Sequence, residues 1–132
     1  MAFLNWSSEL EIGVRPMDAE HEVLVKLMND LHGHREANAP KQVMQQALKA
    51  LLSYTVKHFR DEEAYMRQIK YADYKVHCIT HQHLVGKLTE FHDAYVAGRS
   101  ELDDAFFNFL KLWLSAHILQ IDKKYVGAAA AA

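Results

Sequence analysis

Nine histidines are present in the chain, and five of them fall where a helix would turn them inward. His58 and Glu62 are four residues apart, as are His77 and His81. Four residues turn an ideal helix by about 400°, so each pair projects from one face. His117 lies on a fourth apolar stripe, and His21 near the start of the first. Polar groups on apolar stripes are costly to bury unless something satisfies them. One buried histidine is easily accommodated by a neighbouring hydrogen bond. Five imidazoles and a carboxylate turned toward a common interior would leave many groups unpaired, and a metal ion answers all of them together. Asp122 follows His117 by five residues, which places it about 140° off the same face of an ideal helix. It reaches the interior only from the helix edge or through a locally loosened turn, so spacing alone does not select it.

The elements that must carry these residues follow from the periodicity. Residues 1–17 read as an extended arm, with Pro16 near its end and Phe3, Leu4 and Trp6 as anchors. The first helix is expected from about Ala19 to Glu36, with Asp18 as N-cap and acidic Glu20 and Glu22 in its first turn. Its stripe is His21, Leu24, Met28, Leu31 and Arg35. The second opens at Pro40, a favoured first position for proline, and carries Met44, Leu48, Leu51, Thr55, His58, Glu62 and Met66. The third is capped by Asp73 and ends at Gly98, with Tyr74, His77, His81, Leu84, Leu88, Phe91 and Tyr95 inward. Ser100-Glu-Leu-Asp103 resembles a capping box that opens the fourth, whose inward face is Phe106, Phe109, Leu110, Trp113, His117 and Ile121. Short connections favour antiparallel neighbours. The expected architecture is therefore all-α, an up-down-up-down four-helix bundle with an extended N-terminal arm. Residues 1–127 form a single domain in this reading, and 128–132 are a low-complexity alanine tail. His32, His34, His83 and His92 fall off the stripes or near loops and are expected at the surface.

Composition narrows the function. The chain has 132 residues, 24% of them charged, and a formal net charge of -2. A nucleic-acid or membrane-surface protein built on a basic field is disfavoured. The most apolar stretch, from Ala105 to Ile121, is too polar and short to span a bilayer, so no membrane insertion is expected. Cys78 is the one cysteine, which excludes an intrachain disulfide and a cysteine-based zinc finger and fits a reducing compartment. No secretory signal is visible at the N-terminus, and the protein reads as cytoplasmic.

Taken together, Asp18-Ala-Glu-His21, His58-Phe-Arg-Asp-Glu62-Glu-Ala-Tyr-Met66, His77-Cys-Ile-Thr-His81 and His117-Ile-Leu-Gln-Ile-Asp122 resemble the hemerythrin family in its single-domain bacterial form. The likeness runs from the arm through Tyr125. It implies a four-helix bundle holding a non-heme di-iron centre (Fe2+/Fe3+) that binds dioxygen reversibly. Carried over position by position, it assigns His77, His81 and His117 to one iron and His21 and His58 to the other. Glu62 and Asp122 would bridge the two, together with an oxo or hydroxo group. On two octahedral irons that set leaves one position open, on the iron with two histidines. Phe59, Trp113, Leu114 and Ile118 would line the oxygen pocket beside it. The role of Asp122 comes from the resemblance, not from periodicity.

Other readings compete with oxygen carriage, storage or delivery. An oxygen or redox sensor acting through a partner in trans is one. A slow di-iron oxidase or peroxidase is another, although carboxylate-rich oxidase sites use Glu-x-x-His motifs and none occurs here. A mononuclear zinc site on His77, His81 and His117 is a third. The expected class is a binding protein rather than an enzyme, with dioxygen as ligand and an oxygen-consuming enzyme as recipient.

Overall fold

Apolar residues spaced by three and four can be buried together only where the backbone turns helically. The computed structural model shows four such helices: α1 (Arg15–Glu36), α2 (Lys41–Gln68), α3 (Tyr74–Val96) and α4 (Asp104–Ala116). The chain then continues through a π-helical stretch, His117–Asp122, and a last helical turn at 123–126. Residues 3–126 are described, without the side chains of 119–121. The alanine tail and the inward placement of Ile121 lie outside the described residues. No strand is present among the described residues.

Connections at 37–40, 69–73 and 97–103 reverse the chain each time and give the expected up-down-up-down bundle. Odd and even helices run oppositely, so residues early on α1 and α3 meet residues late on α2 and α4. That rule brings His21, His77 and His81 level with His58, Glu62 and His117. The other half of the interior is hydrocarbon: Met28, Leu31, Leu48, Leu51, Leu88, Phe106 and Leu110 are buried. Three helices stop in the same way, with a left-handed residue after the last turn: Asn38 (φ 53), Lys70 (φ 54) and Gly98 (φ 75). At Gly98 the motif is completed by Arg99 N–H donating to Ala94 O at 2.8 Å.

Several boundaries differ from the sequence expectation. Helix α1 begins at Arg15, four residues before Ala19, because Pro16 fits the first turn and lacks only an N–H that would be unbonded there. Asp18 is therefore not the N-cap. It lies inside the first turn and accepts from Ile12 N–H at 2.8 Å and Gly13 N–H at 3.1 Å, fastening the arm. The arm is further held by Asn29, whose amide exchanges two hydrogen bonds with the Leu4 backbone, at 2.7 and 2.8 Å. It is not fully extended, since Ser8–Leu10 form a 3₁₀ turn. Asp73 occupies the N-cap position of α3 without a capping hydrogen bond from its side chain. The capping box at Ser100 does not form. Asp103 is the N-cap of α4, accepting from Phe106 N–H at 3.1 Å.

Two side chains take unexpected places. His32 is not simply a surface group: its ring stacks on Phe3 at 4.7 Å and meets the edge of Phe107 at 5.1 Å, joining the arm to α1 and α4. Arg35 turns away from the interior and lays its guanidinium over Phe107, 4.3 Å from the ring centre. Asp103→Ala should lower stability by about 1 kcal/mol in urea unfolding followed by circular dichroism, the usual cost of an N-cap. Ser100→Ala should stay within about 0.5 kcal/mol, as a surface change away from any cap.

Candidate metal centre

The seven residues singled out from sequence meet at one level of the bundle, and all seven are buried. On one side, His77, His81 and His117 point their Nε2 atoms at each other. His117 Nε2 is 3.3 Å from that of His77 and 3.2 Å from that of His81. On the other side stand His21 and His58, with ring centres 4.6 Å apart. Glu62 and Asp122 lie between the two sets, and each divides its oxygens. Glu62 Oε1 is 2.9 Å from His81 Nε2 and 3.3 Å from His77 Nε2. Its Oε2 is 3.6 Å from His58 Nε2 and 3.8 Å from His21 Nε2. Asp122 Oδ1 is 3.0 Å from His117 Nε2 and 3.1 Å from His77 Nε2, while Oδ2 is 3.2 Å from His21 Nε2. Donor atoms therefore gather into two groups that share both carboxylates. One holds Glu62, His77, His81, His117 and Asp122; the other holds His21, His58, Glu62 and Asp122.

Local structure explains how Asp122 arrives there. Between His117 and Asp122 the helix widens to a π turn. Hydrogen bonding over five residues instead of four brings positions five apart onto nearly one face. The loosened turn thus delivers an acid that an α-helix would aim elsewhere. Tyr125, one turn beyond, donates from its hydroxyl to Glu62 Oε2 at 3.0 Å.

The donor set fits a cation better than it fits a proton network. Asp122 Oδ1 and Oδ2 lie close to imidazole nitrogens, yet neither oxygen accepts an aligned hydrogen bond, and His21 Nε2 is equally unpaired. Lone pairs of nitrogen and oxygen converge on common points rather than on one another. Three mutually close Nε2 atoms cannot all be satisfied by sharing protons, whereas a metal accepts all three pairs.

Charge in the metal-free chain reflects this crowding. Burial alone would lower the pKa values of His21 and His117, but the carboxylates of Asp122 and Glu62 beside them prevail and raise both to about 9. His77 is raised for the same reasons. Burial and the Glu62 charge would raise Asp122, but His117, His21 and His77 hold it down at about 2. Burial likewise works against the Glu62 anion, and the four imidazoles of His117, His21, His77 and His81 keep it well below the carboxylate range.

Apolar side chains close one side. Phe59 stacks on His81 with ring centres 3.8 Å apart and planes 3° from parallel. Its ring also meets the edge of Trp113 at 6.0 Å. Leu114 and Ile118 are buried on the helix that carries His117. The other four histidines stay out of the cluster. His83 is exposed, His34 and His92 are half-buried, and His32 packs under the arm.

Three participants were not legible as site residues. Glu20 Oε1 is 2.7 Å from His58 Nδ1, Glu63 Oε2 is 2.8 Å from His81 Nδ1, and Tyr125 bonds Glu62. Glu20 and Glu63 each neighbour a cluster residue in sequence, about 100° around the helix, and that offset is the signal that could have found them.

A bundle that buries two cation-sized groups of imidazole and carboxylate donors defines a helical metalloprotein with an internal dinuclear-type site. The chain belongs to the hemerythrin family: residues 12–129 match the model described as the hemerythrin HHE cation binding domain. Relatives agree over nearly the whole length. A bacteriohemerythrin from Methylococcus capsulatus is 32% identical over 126 residues, covering 95% of each chain. A hemerythrin-like protein from Naegleria gruberi is 32% identical, covering 93% of this chain and 91% of its own. The crystal structure of a wild-type hemerythrin superposes with a TM-score of 0.90 at 30% identity, covering 98% of this chain and 99% of that one. These relatives agree with a binding protein rather than an enzyme. No helix among the described residues is long and apolar enough to cross a membrane.

Metal and proton compete for the same nitrogens. Since His21 and His117 keep their protons up to about pH 9, metal loading at pH 7 should release protons. Affinity should rise as pH increases from 6.5 toward 9. Calorimetric zinc titration in buffers of different ionisation enthalpy reads the release; a proton count of zero would contradict the assignment.

Proposed function

We propose that this chain binds dioxygen reversibly at a centre of two non-heme irons and serves oxygen carriage, storage or delivery. The observation that carries the reading is the division of each carboxylate between the two histidine sets. Glu62 and Asp122 both offer one oxygen to the trio of His77, His81 and His117 and the other to the side of His21. In this reading His77, His81 and His117 would hold one ion and His21 and His58 the second, with Glu62 and Asp122 shared between them together with an oxo or hydroxo group. Bound there, a pair of ferrous ions supplies two one-electron donors and an open position for the gas. The histidine pair offers fewer donors than the trio, which supports reading the open position as belonging to its side.

The chain's own residues determine the rest. Five neutral imidazoles and two carboxylates give little anionic donation, which suits binding over oxidation of a substrate. Phe59, Trp113, Leu114 and Ile118, all buried, would exclude water from the pocket and so hinder proton delivery into it. Burial of both carboxylates keeps them ionised only in the company of cations, so metal and protein hold each other in place. Cys78 is a free thiol, which fits residence in a reducing cytoplasm. The recipient in this reading is an oxygen-consuming enzyme.

Anaerobic loading with ferrous iron should give two irons per chain. Admitting oxygen should produce a visible charge-transfer band that disappears on deoxygenation. One zinc with no iron, or a band that never reverses, would overturn the reading. Among variants, His77→Ala and Glu62→Ala should lose iron on gel filtration, and His34→Ala should keep it. Equal retention by all three would refute the ligand assignment.

A further inference from the structure

Adjacent residues on a helix point about 100° apart, so the neighbour of an inward residue faces a seam between helices. Glu20 follows this rule beside His21, and Glu63 follows it beside Glu62. Each reaches across its seam to the back of an imidazole on the next helix. Glu20 on α1 meets His58 Nδ1 of α2 at 2.7 Å, and Glu63 on α2 meets His81 Nδ1 of α3 at 2.8 Å. Both lengths lie in the charge-assisted range. An ionised carboxylate only accepts, so Nδ1 must carry the proton and the Nε2 lone pair faces the cluster. The two rings are 1% and 2% exposed, so with the acid in place each Nδ1 proton goes to the carboxylate rather than to bulk water.

The arrangement assigns one brace to each histidine set. His58 belongs to the pair and His81 to the trio, while Nδ1 of His21 and of His117 has no hydrogen-bond partner among the described residues. Glu20 is itself fixed by Lys57, which contacts it at 3.1 Å and Asp61 at 2.8 Å. Glu63 has no lysine or arginine within ion-pair distance among the described residues. It borders an open groove between α2 and α3, of about 420 Å³, and its side-chain partners are His81, at 2.8 Å, and the Cys78 thiol.

We propose that Glu20 and Glu63 are positioning residues for the metal centre, each fixing the tautomer and aim of one imidazole per metal position from across a helix seam. This rests on the metal-centre reading above but not on its oxygen chemistry, so zinc is a sufficient probe. Glu20→Ala and Glu63→Ala should each weaken zinc binding by about 10–100-fold in a chelator competition, the usual effect of losing such a partner. Glu20→Gln and Glu63→Gln keep an acceptor oxygen and should recover most of that loss, which a merely structural ion pair would not require. Lys26→Ala, which breaks the exposed Lys26–Asp30 pair, should bind zinc as the parent does. Histidine ¹⁵N spectra of the zinc-loaded protein should show His58 and His81 protonated at Nδ1. Undiminished zinc affinity in both alanine variants, or Nε2 protonation at either ring, would overturn the proposal. Failure of the oxygen reading alone would look different: zinc affinity lost in the two alanine variants and recovered in the glutamine variants as above, with no reversible band from the iron-loaded chain.

Discussion

Two carboxylates sit at zero exposure in the middle of a helical protein, and the rest of the structure is arranged around that fact. Removing an anion from water costs several kcal/mol even after the surroundings relax. Glu62 and Asp122 are tolerated because imidazoles surround them, and the raised histidine and lowered carboxylate pKa values express that mutual dependence. In the metal-free chain protons supply the positive charge. A pair of divalent cations would supply it with better geometry, since the carboxylate oxygens of Asp122 and the nitrogen of His21 are close but unaligned for hydrogen bonding.

Rigidity comes from the opposite end of the bundle. Leu31, Leu48, Leu51, Phe106 and Leu110 form a dry half in which no polar group competes for position. Helix α2 links the halves, since Leu48 and Leu51 lie in one and His58 and Glu62 in the other. Glu62 is the hinge of the polar half. It touches imidazoles from α1, α2, α3 and the π turn, and the Tyr125 hydroxyl besides. Aromatic stacking extends the same order outward, from His81 through Phe59 to Trp113.

Much of this was legible in the sequence, and the rest was not for identifiable reasons. The stripe from Met44 through Met66 is buried at every expected position, because on a regular helix spacing determines facing. Asp122 escaped periodicity because its helix is not regular there. Asp18 and Ser100 were misplaced as caps because proline and a nearby competing acid, Asp103, shift a helix start by a few residues without changing its stripe. His32 was misjudged because its partners, Phe3 and Phe107, are distant in sequence and meet only through folding of the arm. Glu20 and Glu63 lie off the stripes, so a search for inward residues passes over groups that act from behind.

The widened turn at His117–Asp122 has a consequence for anyone grafting this centre onto a designed scaffold. An idealised bundle with uniform geometry would supply six of the seven donors and misdirect the last. Everything downstream would inherit the error, so the phenol of Tyr125 would also swing off its acid. The irregularity must be transplanted along with the side chains, and a blueprint that smooths it away would yield a well-folded protein with a half-built centre.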